Sequence, residues 1–315
     1  MVEMESMHER AELRHRANRE ELVWRVAHAN RADGSAEPIP GLHLNRVSHA
    51  SERLHNVSIP SFCVIAQGSK EVSLGETCYR YDTEHYLLTT VELPIVSCVV
   101  EASEEYPYLS VRVDLDPGLV GSVMVEAGLP APRSQTNAKA LVVSALDAGL
   151  LDTTLRLVRL TDSPTEARVL APLVKREIVF RLLLGEQGHR LRHLPLLGGH
   201  SNRIAQAVER LRQDFDRPLR IDNLARELGM STSGFHDHFK AITDMSPLQF
   251  QKQLRLREAR RLMLGEHLDA TSAGFRVGYN DASYFSRDYK KYFGTAPARD
   301  IERLRTNLGG DVQQV

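Results

Sequence analysis

The stretch Phe235-x3-Phe239-Lys240, followed by Pro247, returns fifty residues later as Phe285-x3-Tyr289-Lys290, followed by Pro297. A small residue and a glycine precede each copy: Leu224-Ala225 with Gly229-Met230-Ser231, then Ala273 with Gly278-Tyr279. These types at this spacing suit one task. A small alanine lets two helices pack closely, a glycine takes the positive φ that ends the first helix, and aromatic residues four apart bury the second helix on its support. The outer face of that second helix is then free to enter the major groove of a duplex. An ordinary helical bundle could use any one of these features, but both copies in register favour two helix-turn-helix units.

The other groups with chemical potential are thiols and imidazoles. Cys63, Cys78 and Cys98 are too few and too odd in number for a disulfide framework, and no CxxC or Cys/His cluster suggests structural zinc. Cys63, in the strand-like run SFCVIAQ, is the candidate effector-sensing residue. An exposed thiolate of lowered pKa there could report an electrophile by forming an adduct; the alternative is a small apolar residue buried in a strand. Cys98 in IVSCVV offers a weaker version of the same choice. A metal-dependent barrel enzyme needs closely spaced His-x-His and an inward carboxylate, whereas His43, His49, His55 and His85 are scattered. With no GxSxG, P-loop or dinucleotide fingerprint either, no catalytic residue, metal or cofactor is expected.

The elements that must position these groups follow from periodicity. Residues 6 to 29 carry Leu13, Leu22, Val23 and Val26 on one helical stripe, and the Gly- and Pro-bearing stretch 33 to 41 ends it. Between Leu42 and Leu115 come seven short β-rich runs (LHLNRV, SFCVIAQ, KEVSL, TCYRY, YLLTT, IVSCVV and YLSVRVDL), which predict a small barrel or sandwich. In the last, Leu109, Val111, Val113 and Leu115 face one way and Ser110, Arg112 and Asp114 the other, toward a pocket or toward water. Ser163-Pro164-Thr165-Glu166 predicts a capping box opening a helix to about Leu184, stopped by Gly185. Ser246, Pro247 and Gln249 predict a second capped helix reaching about Leu264, a spacer of about 27 Å between the two copies. Its basic residues Lys252, Arg255, Arg257, Arg260 and Arg261 either meet phosphates or form a solvated face.

Composition sets outer bounds. The 315 residues hold room for about two domains, and 42% hydrophobic with 26% charged residues reads as globular. No apolar run approaches the roughly 18 to 20 residues that span a bilayer, and the opening MVEMESMHERAELRHRANREE alternates acid and base, unlike a signal peptide. A cytoplasmic protein without membrane association is expected. The net charge of −1 is unevenly spread: from His200 onward there are 19 Lys and Arg against 15 Asp and Glu, a mild basic excess.

LARELGMSTSGFHDHFKAITDMSPLQF (224–250) and ASYFSRDYKKYFGTAP (282–297) resemble the tandem helix-turn-helix domain of AraC/XylS-type transcription regulators. IPGLHL, PSFCVIAQGSKEVSLG and HYLLTTVELPIVSCVVEA resemble the AraC-type regulator N-terminal family, which implies a cupin-like barrel followed by helices. The resemblance covers about residues 38 to 305. It implies a first recognition helix over about 232–241, with Ser233, His236 and Asp237 facing the groove, and a second over about 282–292, with Ser283, Tyr284, Ser286 and Arg287 in the corresponding places. Arg287 is the strongest base-contact candidate, because a guanidinium pairs with both acceptors of guanine, while Lys240 and Lys290 suit phosphates. Three positions depart from the family pattern: Asp237 where Arg is common, Arg220 where Ser or Thr caps the first helix, and Ser272 where an apolar residue precedes Ala273.

The expected fold class is therefore α+β in two domains. An N-terminal helix and linker (1–36) precede a cupin-like sensing and dimerisation domain with accessory helices (37–187), a linker (188–199) and an all-α DNA-binding domain with two helix-turn-helix units (200–308). The expected function is a sequence-specific DNA-binding regulator, by family default an activator, whose barrel senses a small molecule or electrophile. Its partners would be double-stranded DNA in the major groove, an effector, a second copy of the chain and RNA polymerase. Two alternatives stand beside it: a cupin-type enzyme with a tethered DNA-binding module, and a nonspecific nucleic-acid-binding protein.

Overall fold

In the computed structural model, which describes residues 2–130, 139–194 and 200–310, the chain folds as two compact units. The first comprises the chain to Arg203 together with Ala241–Asp244, and the second is built from Ile204–Lys240 and the stretch from Met245 on. Among the described residues no helix is long and apolar enough to cross a membrane.

The first unit opens with α1 (Val2–Ala29) and continues through nine strands: β1 (Gly34–Ile39), β2 (Leu42–Val47), β3 (Leu54–Ser58), β4 (Ser61–Gln67), β5 (Ser69–Leu74), β6 (Thr77–Tyr81), β7 (His85–Thr89), β8 (Leu93–Glu101) and β9 (Tyr108–Asp114). Helix α2 (Pro117–Glu126), strand β10 (Leu141–Ala145) and helices α3 (Ala148–Arg159), α4 (Pro164–Leu184) and α5 (Gly188–Leu191) complete it. The strands form a six-stranded sheet, β1-β2-β9-β4-β7-β10, and a four-stranded sheet, β3-β8-β5-β6. Every pairing is antiparallel, so alternate residues of each strand address opposite faces.

That alternation builds two environments. Leu42 and Leu44, Phe62 and Val64, and Val111 and Val113 pack with Leu22 and Val26 of α1, Leu155 and Val158 of α3, and Leu182 and Leu183 of α4 in one core on the helix-covered face. Removing each such side chain from water stabilises the unit by roughly 1.5–3 kcal/mol. The opposite face carries His43, Cys63, Arg112 and Leu87 side by side, since His43 pairs with Arg112, and Cys63 with both Arg112 and Leu87.

The seven strand-like runs all form strands. The structure adds β1, β3 and β10, and it draws α1 and α5 into the first unit. Leu191 of α5 is fully buried in the same core, so the segment from 188 to 191 is a packed helical turn where a linker was expected; residues 195–199 of that linker lie outside the described set. Ser163 caps α4 by accepting from the Glu166 N–H. The return bond of the expected capping box is replaced, because the Ser163 N–H donates instead to the Leu160 carbonyl at 3.2 Å.

An ionic tie holds α1 to α3. Glu21 accepts from Arg159 at 2.5 and 2.9 Å and from Arg25 at 2.7 Å. The hydrogen bonds from Arg159 and then Arg25 pull the Glu21 carboxyl from 4.5 down to about 2. A depressed folded-state pKa contributes stability that is present above the unfolded value and is lost as pH falls from about 4.5 toward 2. Glu21→Gln should therefore lower the urea midpoint at pH 6 and lower it by much less at pH 2.5, where most but not all of the contribution has been lost; an equal loss at both pH values would contradict the tie.

The second unit consists of α6 (His200–Gln213), α7 (Ile221–Glu227), α8 (Thr232–Thr243), α9 (Pro247–Gly265), α10 (Ala270–Arg276), α11 (Ala282–Phe293) and α12 (Pro297–Gly310). The internal repeat is thus real as structure: α7 with α8, and α10 with α11. Gly229 and Gly278 make the two turns at φ +63° and +88°. Gly278 is required twice over, because a Cβ there would lie 1.9 Å from the Asp216 carbonyl oxygen. Between the repeats, Ser246 and Gln249 form the full reciprocal capping box of α9.

Candidate DNA-binding interface

Each second helix is fixed from its inner side. In α8, Phe235 and Phe239 are fully buried, their rings 5.5 Å apart, and Phe239 meets Phe250 of α9 edge-on at 5.5 Å. In α11, Phe285 and Tyr289 are fully buried within a core that includes Ala273, Val277, Leu256 and Leu262. Residues three and four apart share a helix face, so these anchors leave the opposite face outward. On α8, Ser233, Asp237 and Lys240 are exposed and His236 half-buried; on α11, Ser283, Tyr284, Arg287 and Lys290 are exposed and Ser286 half-buried. The nine expected residues thus fall into two outward clusters, one per repeat.

The helix starts differ. Asp281 caps α11 by accepting from the Tyr284 N–H at 2.6 Å, and Asp269 caps α10 by accepting from Thr271 and Ser272. Ser272, the departure from the family pattern, donates its hydroxyl to Asp269 at 2.7 Å and so strengthens that cap. Arg220 precedes α7 with no side-chain cap. The Ser231 hydroxyl accepts from the Gly234 N–H at the start of α8, and Thr232 donates to Asp222 of α7 at 2.9 Å.

Charge on the α11 face is sorted by these contacts. Asp288, next to Arg287 in sequence, turns away to meet Lys252 of α9 at 3.0 Å and the Tyr279 hydroxyl at 3.3 Å. Although burial opposes it, that bond to Asp288 leaves the Lys252 ammonium above its ordinary pKa, while burial pushes the Tyr279 phenol up. Among the described residues no carboxylate pairs with Arg287, whose guanidinium lies 5.8 Å from the Tyr284 ring centroid.

The basic face of α9 is mostly spent inside the unit, not left for phosphates. Arg255 donates to the carbonyls of Phe215, Arg217 and Gly278 at 2.6 to 2.9 Å, and Arg261 pairs with Glu258 and Glu266. Arg260 meets both oxygens of Asp300, at 2.8 and 2.9 Å. Asp300 is fully buried on α12, accepts from the Tyr289 hydroxyl at 2.8 Å, and also meets Arg303 at 3.2 Å. The α9 charges thus tie α11 and α12 in place.

Residues 38–190 match the family described as AraC-type transcriptional regulator N-terminus, and residues 224–303 match a helix-turn-helix domain family. The chain belongs to the AraC/XylS-type transcriptional regulators. Among its relatives are the HTH-type transcriptional regulator ArgR of Pseudomonas aeruginosa, 27% identical over 139 residues, and the MmsAB operon regulatory protein of the same organism, 31% identical over 100. The matched stretches cover 43% and 32% of this chain, and 42% and 33% of those proteins, so the chain spans less than half the length of either. ToxT from Vibrio cholerae has the same overall fold: its structure superposes with a TM-score of 0.52 at 13% identity, covering 82% of this chain and 97% of that one. This AraC/XylS-type chain thus has the expected α+β class, a sheet domain with helices followed by a helical helix-turn-helix domain.

The first unit also has a defined interior. Cys63 faces it, 3.9 Å from the Ser61 hydroxyl, and burial pushes its thiol up, opposite to the shift that would generate a thiolate. Cys78 and Cys98 lie on the other face of the four-stranded sheet, Cys78 exposed. Across the interior the Tyr81 and Tyr108 phenols lie against one another, both pushed up by burial. The Arg112 guanidinium and the His43 ring share Asp114, each at 3.0 Å. Among the described residues no group of three or more His, Cys, Asp and Glu side chains is placed to hold a metal ion.

Proposed function

We propose that this protein is a sequence-specific DNA-binding regulator of transcription that uses α8 and α11 as paired recognition helices. The observation that carries this reading is the pair of outward polar clusters on two repeated, internally anchored helix-turn-helix units, one of them bearing Arg287, with which no carboxylate among the described residues pairs. Two major-groove helices held by one spacer of about 28 Å can reach successive turns on the same side of a duplex, about 34 Å apart. Arg287 reads guanine, Lys240 and Lys290 neutralise phosphates, and Ser233, His236, Ser283, Tyr284 and Ser286 fill the remaining contacts. Asp237 accepts from cytosine N4 or else repels the backbone, so α11 carries the larger share of specificity. The test is selection of bound duplexes from a random library by the full chain. A defined motif of two blocks is expected, and recovery of unenriched sequence would favour nonspecific nucleic-acid binding.

In this proposal the first unit senses a small molecule, with Cys63 lining its interior, and shifts how readily two DNA-reading units engage adjacent sites. Activation is the family's default mode, with RNA polymerase as a further partner in this proposal, and relatives such as RhaS of Citrobacter koseri carry the name transcriptional activator. The protein acts as a homodimer in the cytoplasm. Support for the dimer comes from α4, where Val169, Leu173, Phe180 and Leu184 are 40 to 65% exposed at i, i+4, i+11 and i+15, an apolar stripe along one helix face. Leu173→Glu should convert the dimer to monomer in sedimentation velocity at micromolar concentration; an unchanged dimer would move the interface elsewhere.

A further inference from the structure

Two arginines near the start of α1 stand outside the ionic network of the first unit. Farther along the helix, Arg19 pairs with Glu84 at 2.9 Å, and Arg25 with Glu21 and Asp162 at 2.7 and 2.6 Å. Arg10 and Arg14, by contrast, make no hydrogen bond and no ion pair among the described residues. Both line a cleft of about 530 Å³ between α1 and the start of α3, together with His15, Asn18, Gly149 and Asp152. That volume lies within the roughly 300–1,000 Å³ of small-molecule sites. Its backbone walls are set in advance, because Leu22 and Val26 bury α1 in the core and Glu21 ties it to Arg159 of α3.

Arg10, Arg14 and Asn18 follow one another at i, i+4 and i+8, one face of α1 over about 12 Å. Like charges four apart destabilise a helix, and an anion between the two arginines removes that repulsion. Asn18 donates to Asp152 at 3.3 Å, and the same carboxylate meets Arg156 of its own helix at 3.4 Å, so its charge is answered from α3 and leaves Arg10 and Arg14 free. The Asn18 carbonyl and the spare lone pairs of Asp152 accept hydroxyl protons. His15 takes the Arg19 Nε proton on Nε2 at 2.9 Å, which leaves its Nδ1–H as a further donor. Among the described residues no Phe, Tyr or Trp lines the cleft, nor any aliphatic side chain larger than alanine. A lining of this kind suits a polar ligand with an anionic end and a hydroxyl-bearing body, and it offers nothing to a hydrocarbon or a nucleobase.

We infer that the cleft between α1 and α3 binds a phosphate monoester of a small polyhydroxy compound, its phosphate held by Arg10 and Arg14 and its hydroxyls by Asn18 and Asp152. Arginine suits the phosphate because its planar fork makes two parallel charge-assisted hydrogen bonds, which a simple point charge does not. The site shares no residue with the sheet interior or with the recognition helices, so it does not depend on the DNA-binding reading.

The test uses calorimetry on the full chain with glycerol 3-phosphate, ribose 5-phosphate and glucose 6-phosphate, each against its dephosphorylated parent, and with inorganic phosphate. At least one ester is expected to bind, with its parent and inorganic phosphate weaker by about 10-fold or more. Replacing both arginines, Arg10→Gln with Arg14→Gln, should weaken that ester by about 10-fold or more. Both side chains are exposed and outside the core, so this variant should melt as the parent does. Asp152→Ala should also weaken the ester, because it removes the acceptor for the hydroxyls; a merely basic surface would instead hold the anion more tightly once a carboxylate is gone. The inference is overturned if no ester binds, if inorganic phosphate binds as tightly as the esters, if the double arginine variant binds as the parent does, or if Asp152→Ala tightens the ester. Displacement of the ester by a duplex of unrelated sequence would also overturn it, making Arg10 and Arg14 contacts to a nucleic-acid backbone.

Discussion

Arg287→Ala is expected to weaken binding to the selected duplex by about 1–3 kcal/mol, roughly 5- to 150-fold in Kd, and to relax the preference at one base position while leaving the others intact. The size follows from the loss of one bidentate pair to guanine, and the selectivity from the geometry of α11. Phe285 and Tyr289 hold the helix from within, Asp281 caps it, and Asp288 turns its charge toward Lys252, so removing Arg287 alters none of these supports. Lys290→Ala should behave differently, weakening all sequences alike and reducing the salt slope by about 1. Fluorescence anisotropy against the selected duplex and its single-base variants, over a salt series, distinguishes the two. If Arg287→Ala weakened every sequence equally, Arg287 would be a phosphate contact and the specificity of α11 would have to come from other side chains.

Asp300→Ala is expected to destabilise the second unit by about 3–5 kcal/mol, as is typical when one member of a buried ion pair is removed and its partner is left uncompensated. Asp300 is the point where three elements meet. It receives Arg260 from α9 through both oxygens and Tyr289 from α11 through the hydroxyl, and it sits itself on α12. Arg260 also lies over the Phe293 ring at 4.4 Å, so its position fixes the C-terminal end of α11. A loss of that size is a large fraction of the 5–15 kcal/mol that stabilises an ordinary domain. Urea unfolding should show it as a lowered midpoint for the second unit, with Tyr289→Phe, which removes one hydrogen bond, costing about 1 kcal/mol. A loss below 1 kcal/mol for Asp300→Ala would mean that the apolar core alone positions the second recognition helix.

Local signals located most of the scaffold. The period-2 alternation of residues 108–115 assigned Leu109, Val111 and Val113 to one face, which is the helix-packed core, and left Ser110, Arg112 and Asp114 for the interior. The paired aromatics and glycines marked both recognition units, because helix-helix packing and a positive φ each demand a residue type at a fixed place. What escaped was set by distant partners. Strand β1 contains Gly34 and Pro38 and β3 is largely exposed; each lies at a sheet edge, where pairing with one neighbour overrides weak propensity. The destiny of the α9 charges was hidden because Asp288 and Asp300 lie 36 and 40 residues away.

The central claim is that two helices of one chain read the major groove at neighbouring places. Methylation interference at guanine N7, an acceptor exposed only in the major groove, tests it directly on the selected duplex bound by the full chain. The account predicts two clusters of interfering guanines on one side of the duplex, about one helical turn apart, with the cluster assigned to α11 lost in Arg287→Ala. Binding that is indifferent to N7 methylation, or a single cluster that persists in Arg287→Ala, would contradict it.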